Sequence, residues 1–568
     1  MTRPLWGPLR EGDTTTFRLW APAFDSVGLE IEGRDAIAMS ATKDGWHRAS
    51  LVVPSGFHYR FCVGGRAVPD PASRAQERGW STIVDAQSYR WKTDAWRGRP
   101  WCESVLYEVH AGLLGGFAGV EKSLPALAEL GITAVELMPV AQFPGRRNWG
   151  YDGVLPYAPA ESYGTPDDLK RLVDAAHALG VSVFLDVVYN HFGPDGNYLP
   201  FYAPAFFRQD RQTPWGAAID FRRPEVRCFF IDNAIHWVDE FRIDGLRLDA
   251  VHAIGDDDFL ADLAREVRAC APDRQVHIVV ENENNDAALL CRGLDAQWND
   301  DFHHAVHVLL TGEHEGYYAD YAEAPAEALA RALREGFIYQ GEISKNTGRA
   351  RGTPSAALPP TAFVDFLQNH DHVGNRARGE RLIALAEPKA LEAAVALLLL
   401  APAIPLLFMG EEVGAREPFL YFCEHADPKL ADAVRQGRRN EFARFAAFAD
   451  SEARAAIPDP NAPETFDRSR PHGAADAEHW RSLYRRLLRL RHARIVPHLD
   501  GARALRAQVI GLKAVSASWT LGDGSVLTLA SNLGEQPAEF ETRKAPALWG
   551  APQGDSIAAA TTLCWIVP

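Results

Sequence analysis

Two hydrophobic textures follow one another along this chain. At the start, apolar positions come as short runs or strict alternation over residues 17–22, 27–31, 46–53 and 58–63, each bounded by Gly, Pro or Asp. A period of two between turn residues predicts half-buried strands, and this spacing predicts an immunoglobulin-like β-sandwich over residues 1–95. From residue 105 strand-like runs (105–109, 134–138, 181–188) take turns with helix-like segments (124–130, 169–179) that close on Gly131 and Gly180. Such alternation predicts a parallel sheet and, with about eight repeats, a (β/α)8 TIM barrel over residues 96–495. After Ile495 the chain turns strand-rich again, most clearly over 525–533, and a small C-terminal β-domain over 496–568 completes an α/β fold.

The stretch 393–410 is apolar throughout and raises a membrane span. Pro402 and Pro405 split it, and Glu411 and Glu412 follow at once. A helix ending near Leu400 and a buried strand over 404–409 are expected instead. With 568 residues, 47% apolar and 24% charged, the composition is that of a folded chain of two or three domains. A net charge of -16 argues against nucleic acid and suits a neutral ligand. Seven scattered cysteines without a Cys-x-x-Cys pair read as reduced thiols. With no apolar leader region at the start, a cytoplasmic protein is expected, free of membrane, and a monomer or small homo-oligomer.

Four apolar runs end abruptly in polar groups. One carries Asp186, Asn190 and His191; the next Arg247, Asp249 and His252; the third Glu281; the fourth Asn369, His370 and Asp371. An ionisable group at the mouth of an apolar core is desolvated, and several together shift one another's pKa. In a (β/α)8 barrel the C-terminal strand ends are where the chemistry sits.

In order, these four segments resemble the four signature regions of the α-amylase superfamily of glycoside hydrolases. The resemblance implies that Asp249 is the nucleophile, Glu281 the acid/base and Asp371 a third carboxylate that positions the sugar in the transition state. The residue chemistry agrees, because a retaining glycosidase needs two carboxyls about 5 to 5.5 Å apart, one ionised and one protonated. Arg247, two residues before Asp249, shares its strand face and would keep it ionised. Glu283 is the alternative acid, though strand register favours Glu281, which directly ends the apolar run. Asp186 is expected to pair with Arg247 as structural support.

By the same resemblance His191 and His370 are donors to sugar hydroxyls. His252, Tyr151, Trp215 and Tyr339 are further candidates for substrate contact, since flat rings suit the apolar faces of glucose; anchoring of their own loops is the alternative for each. Asn190 binds calcium in many amylases, but no second liganding loop is evident, so neither metal nor cofactor is expected. The N-terminal block resembles the module that precedes the barrel in branching and debranching enzymes, and is expected to pack on the barrel rather than bind glycan.

Within the superfamily, residues 131–140, 143–153, 191–199, 213–221, 250–254 and 427–442 resemble the maltooligosyltrehalose trehalohydrolases. That likeness implies maltooligosyltrehalose as substrate and hydrolysis of the α-1,4 bond beside its terminal trehalose, by a retaining double displacement. After Glu281 the chain reads Asn282, Glu283, Asn284, a departure from the family's usual Ser-Asp-Leu. The alternative is a glycogen branching enzyme, a transferase with the same module, barrel and acids.

Overall fold

In the computed structural model, which describes residues 6–541, 543 and 545–568, eight parallel strands close into a barrel. They are β1 Leu106–Val109, β2 Ala134–Leu137, β3 Ser182–Val187, β4 Gly245–Leu248, β5 His277–Val280, β6 Ala296–Trp298, β7 Phe363–Phe366 and β8 Ile404–Phe408. Each is buried along its whole length, which is why they read as continuous apolar runs rather than as alternation.

Strand periodicity divides the barrel interior into layers. Leu106, Ala134, Phe184, Val279, Val364 and Ile404 belong to one apolar cluster that fills the floor. Two residues further along β1, β2 and β3 stand Glu108, Glu136 and Asp186, and Arg247 lies two residues beyond Gly245 on β4. Inward positions thus change from apolar to charged in one step toward the C-terminal end. Gly245 is required at the floor: a Cβ there would lie 2.1 Å from the Phe184 ring.

Helices wrap the barrel as the spacing predicts. One runs over Phe117–Leu130 and stops on Gly131 in the left-handed region (φ 111°). Another, Pro166–Ala178, starts with a capping box between Thr165 and Asp168. The long apolar stretch resolves into the helix Pro388–Leu400 and strand β8, and no helix among the described residues is long and apolar enough to cross a membrane.

Two antiparallel sheets built from residues 9–82 precede the barrel. Trp6 ties this region down, donating from its indole to the Glu225 carbonyl at 2.9 Å while its ring meets Trp46 and Phe229 edge-on. The four-stranded sheet Arg503–Gly511, Ala514–Thr520, Val526–Asn532 and Thr561–Val567 closes the chain. It docks through Thr562, which donates to the Ala393 carbonyl at 2.7 Å, and Trp519, which donates to that of Leu333 at 3.1 Å.

Candidate active site

The sheet ladder carries the acids up to the barrel mouth. The Asp249 N–H donates to the Val187 carbonyl and that of Glu281 to the Leu248 carbonyl, so each side chain leaves its strand end at a fixed height. Between them lies Arg247, fully buried and stacked 4.2 Å over the Trp298 ring. Its Nη1 donates to Asp186 (2.7 Å) and Asp249 (2.9 Å), and its Nη2 to Glu281 (3.0 Å). One guanidinium therefore holds both proposed reacting carboxyls in a charge-assisted fork.

Glu281 Oε2 also accepts the backbone N–H of Ala250 at 2.9 Å. Ala250 sits in the left-handed region (φ 40°, ψ 51°), an unfavourable conformation for a residue with a Cβ, and that twist aims its N–H back at Glu281. Burial and the facing Glu281 charge push the Asp249 carboxyl well above the usual range, against the pull of Arg247.

Asp371 is governed from the opposite wall. His370 is 1% exposed, and Glu108 on β1 accepts both its backbone N–H (2.9 Å) and its Nδ1 (2.5 Å). The ring's Nε2 then meets Asp371 Oδ2 at 3.2 Å. Burial alone would make His370 less basic, but the Asp371 and Glu108 carboxylates outweigh it and hold the imidazole well above its ordinary range. Burial likewise opposes ionisation of Asp371, yet the charged His370 and Arg247 hold that carboxyl well below the usual range. An expected sugar donor, His370 instead has both ring nitrogens facing carboxylates, because Glu108 on β1, separated from β7 by β8, reaches it at the right height.

The other candidates divide. Tyr151 donates to Asp186 Oδ2 at 2.6 Å and stacks on His370 at 5.1 Å, so its ring borders the charged layer while its hydroxyl is used. His191 lies flat against Trp215, with centroids 5.0 Å apart, and its Nε2 faces the Tyr151 carbonyl at 3.0 Å. Burial lowers its pKa to about 4 and keeps the ring neutral. Trp215 is 46% exposed at the tip of the hairpin Phe207–Thr213 and Gly216–Ile219, a free aromatic face beside that histidine. Outside the charged layer, Glu283 has a side chain 63% exposed, and its carboxylate lies 3.6 Å from His252 Nε2. Tyr339 is buried elsewhere, donating to the Asp320 carbonyl and packed on Tyr321 and Arg351; its ring anchors a loop.

Sequence reasoning passed over three participants. Glu108 was visible as an acid inside an apolar strand, as was Glu136 beside it in register. Asp300, just beyond β6, feels burial and the charges of Glu281 and Asp371, which push its carboxyl to about 8. The helix Pro428–Glu441 braces this region: Arg438 donates to the carbonyls of Gly374 (2.6 Å) and Arg376 (3.0 Å), just after Asp371.

Comparison with known proteins places this geometry. Residues 72–202 match the family model described as alpha amylase, catalytic domain, and residues 502–565 one described as a domain of unknown function (DUF3459). The chain is 41% identical over 508 residues to the malto-oligosyltrehalose trehalohydrolase of Deinococcus radiodurans, covering 86% of this chain and 83% of that one. The chain belongs to the malto-oligosyltrehalose trehalohydrolase family. The Saccharolobus solfataricus member is 42% identical over 76% of this chain and 79% of its own. A crystal structure from Salmonella typhimurium, described as an alpha amylase, superposes with a TM-score of 0.94 at 43% identity, over 99% of this chain and all of that one. Membership makes the chain a glycoside hydrolase, and the trehalohydrolase-like stretch at 427–442 is the helix that carries Arg438.

Proposed function

We propose that this glycosidase cleaves the α-1,4-glucosidic bond beside the terminal trehalose of maltooligosyltrehalose and releases trehalose, with retention at the anomeric carbon. The observation that carries the mechanism is the single guanidinium of Arg247, bonded to both Asp249 and Glu281. It keeps the two carboxyls close, and closeness separates retaining from inverting enzymes: about 5 to 5.5 Å against about 6.5 to 9.5 Å, where a water must fit between.

The roles follow from which oxygens are engaged. Asp249 gives Oδ1 to Arg247, leaving Oδ2 to attack the anomeric carbon. Glu281 accepts from Arg247 and Ala250 through Oε2, leaving Oε1 to deliver a proton to the departing trehalose oxygen. Proton loss to the leaving group then puts the negative charge on Glu281 as the charge on Asp249 is consumed in the glycosyl bond. The guanidinium between them serves both states. Ionised Glu281 takes a proton from water in the second step, and the water replaces Asp249 on the sugar. Asp371, kept ionised by His370, is the third carboxylate, placed to hold the distorted sugar.

Preference for trehalose rests on the leaving-group side. Trp215 offers a half-exposed ring beside His191, and His252 and Glu283 form a polar pair near the strand end that carries Glu281. Incubation with maltotriosyltrehalose and, separately, with maltopentaose tests the assignment. Trehalose and maltotriose should form rapidly from the first, and the second should react slowly. Longer or branched glucans among the products would instead indicate a branching enzyme.

A further inference from the structure

Beside Asp371, three histidines from two helices face one another. His303 and His304 lie on the helix Asp300–Thr311 that follows β6, and His372 lies just after β7. Each contributes one ring nitrogen to a group whose members all lie within 4.8 Å of one another. The rings of His303 and His372 are 3.7 Å apart between centroids.

The hydrogen bonds around these rings fix which nitrogen carries a proton. His303 Nδ1 is 2.6 Å from the Leu367 carbonyl, which can only accept, so the proton sits on Nδ1. His372 Nδ1 is 2.7 Å from Asn369 Oδ1, an oxygen that also accepts the His372 backbone N–H at 3.1 Å, and the same assignment follows. Both rings thus turn the lone pair of Nε2 inward. His303 Nε2 and His304 Nδ1 are buried atoms with no hydrogen-bond partner. A ring nitrogen buried without a partner is costly, since it has lost water and gained nothing.

A cation resolves that cost. Imidazole nitrogen whose other N–H is held by a carbonyl is the usual form of a metal-ligating histidine, and two of the three rings have that arrangement already. A carboxylate is also to hand, with Asp300 Oδ1 3.7 Å from His372 Nε2. Three imidazoles and one carboxylate suit a borderline divalent ion of the zinc, cobalt or copper kind rather than calcium or magnesium, which prefer all-oxygen shells.

We propose that His303, His304 and His372, with Asp300 as a fourth donor, form a binding site for a zinc-type divalent cation against the loop that carries Asp371. Bond lengths of about 2.0 to 2.1 Å would be reached by small rotations of the rings toward one another. The site uses no residue of the proposed glycosyl-transfer steps and stands whether or not the trehalose assignment holds.

The test uses chelator-treated full-length protein titrated with cobalt(II) chloride, followed by zinc(II) chloride. Cobalt should give visible d–d bands that saturate near about one equivalent, without a thiolate charge-transfer band, and zinc should displace it. His304→Gln and His372→Gln should each weaken cobalt binding by at least about tenfold. Zinc should also raise the melting temperature of the wild type and not that of His304→Gln, a readout that needs no variant to be catalytically competent. No binding, bands that persist unchanged in both variants, or a thiolate band from the cysteines would each overturn the proposal.

Discussion

Glu108 holds His370 twice, through its backbone N–H and through Nδ1, and so fixes which way the imidazole faces Asp371. A carboxylate on the first barrel strand thereby sets the charge of a carboxylate beyond the seventh. Replacing it by Glu108→Gln keeps the shape and removes the charge, so His370 becomes easier to deprotonate. Asp371 then loses the cation that holds its carboxyl low, and its pKa rises. The acidic limb of the kcat/KM profile should move to higher pH, with kcat reduced by about 10- to 100-fold, the worth of a charged hydrogen bond. An unchanged limb in a pH-rate series would mean that Asp371 is held by other groups.

Asp249→Asn and Glu281→Gln should each lower kcat by about 10³-fold or more, since one removes the attacking oxygen and the other the proton donor. Glu283→Gln breaks only an exposed pair with His252 and should cost less than about fivefold. Steady-state kinetics on all three variants decides which glutamate is the acid. An inactive Glu283→Gln beside an active Glu281→Gln would reverse the assignment.

Asp249 and Glu281 were legible because each directly follows a buried strand, and an apolar run that stops at a charge is a local signal; Asp371 stands five residues past its strand, in the short helix His370–Gly374. The layered barrel interior follows from the same rule applied two residues at a time. Other features depend on contacts between distant segments. Strand β6 is only Ala296–Trp298, too short to carry a periodicity of its own. Tyr339 has the sequence context of a cleft aromatic, but it is spent against Arg351 and Tyr321. The role of His370 depends on Glu108, 262 residues away. The three facing histidines come from two helices about seventy residues apart in the chain, which the pairing of β6 with β7 brings together.

Trp215→Ala should lower kcat/KM for maltotriosyltrehalose by about three- to tenfold, the value of one aromatic contact, and should affect maltopentaose less. The ring is half exposed and leans on His191, so the fold does not depend on it. Equal losses on the two substrates would make it an anchor for its hairpin.

Stability should carry a separate pH signature at Glu411. Burial pushes this carboxyl to about 8, with the Phe408 N–H and Tyr484 hydroxyl bonded to it. The folded form therefore keeps a proton that the unfolded chain gives up near about pH 4. Between those values the unfolded state binds fewer protons, so this group's contribution falls as pH rises from about 4 to about 8. Glu411→Gln removes that decline. Relative to wild type, the variant's urea midpoint should be higher at pH 8 than at pH 5; a difference independent of pH would show that Glu411 does not titrate in this window.

Double displacement at the trehalose-bearing end is tested most directly by following maltotriosyltrehalose by proton NMR during the first minutes of hydrolysis. Trehalose should appear together with maltotriose whose new reducing end is α, relaxing only later toward the equilibrium mixture. Maltotriose appearing first as the β anomer would contradict the Asp249 and Glu281 mechanism, and products without trehalose would contradict the substrate assignment.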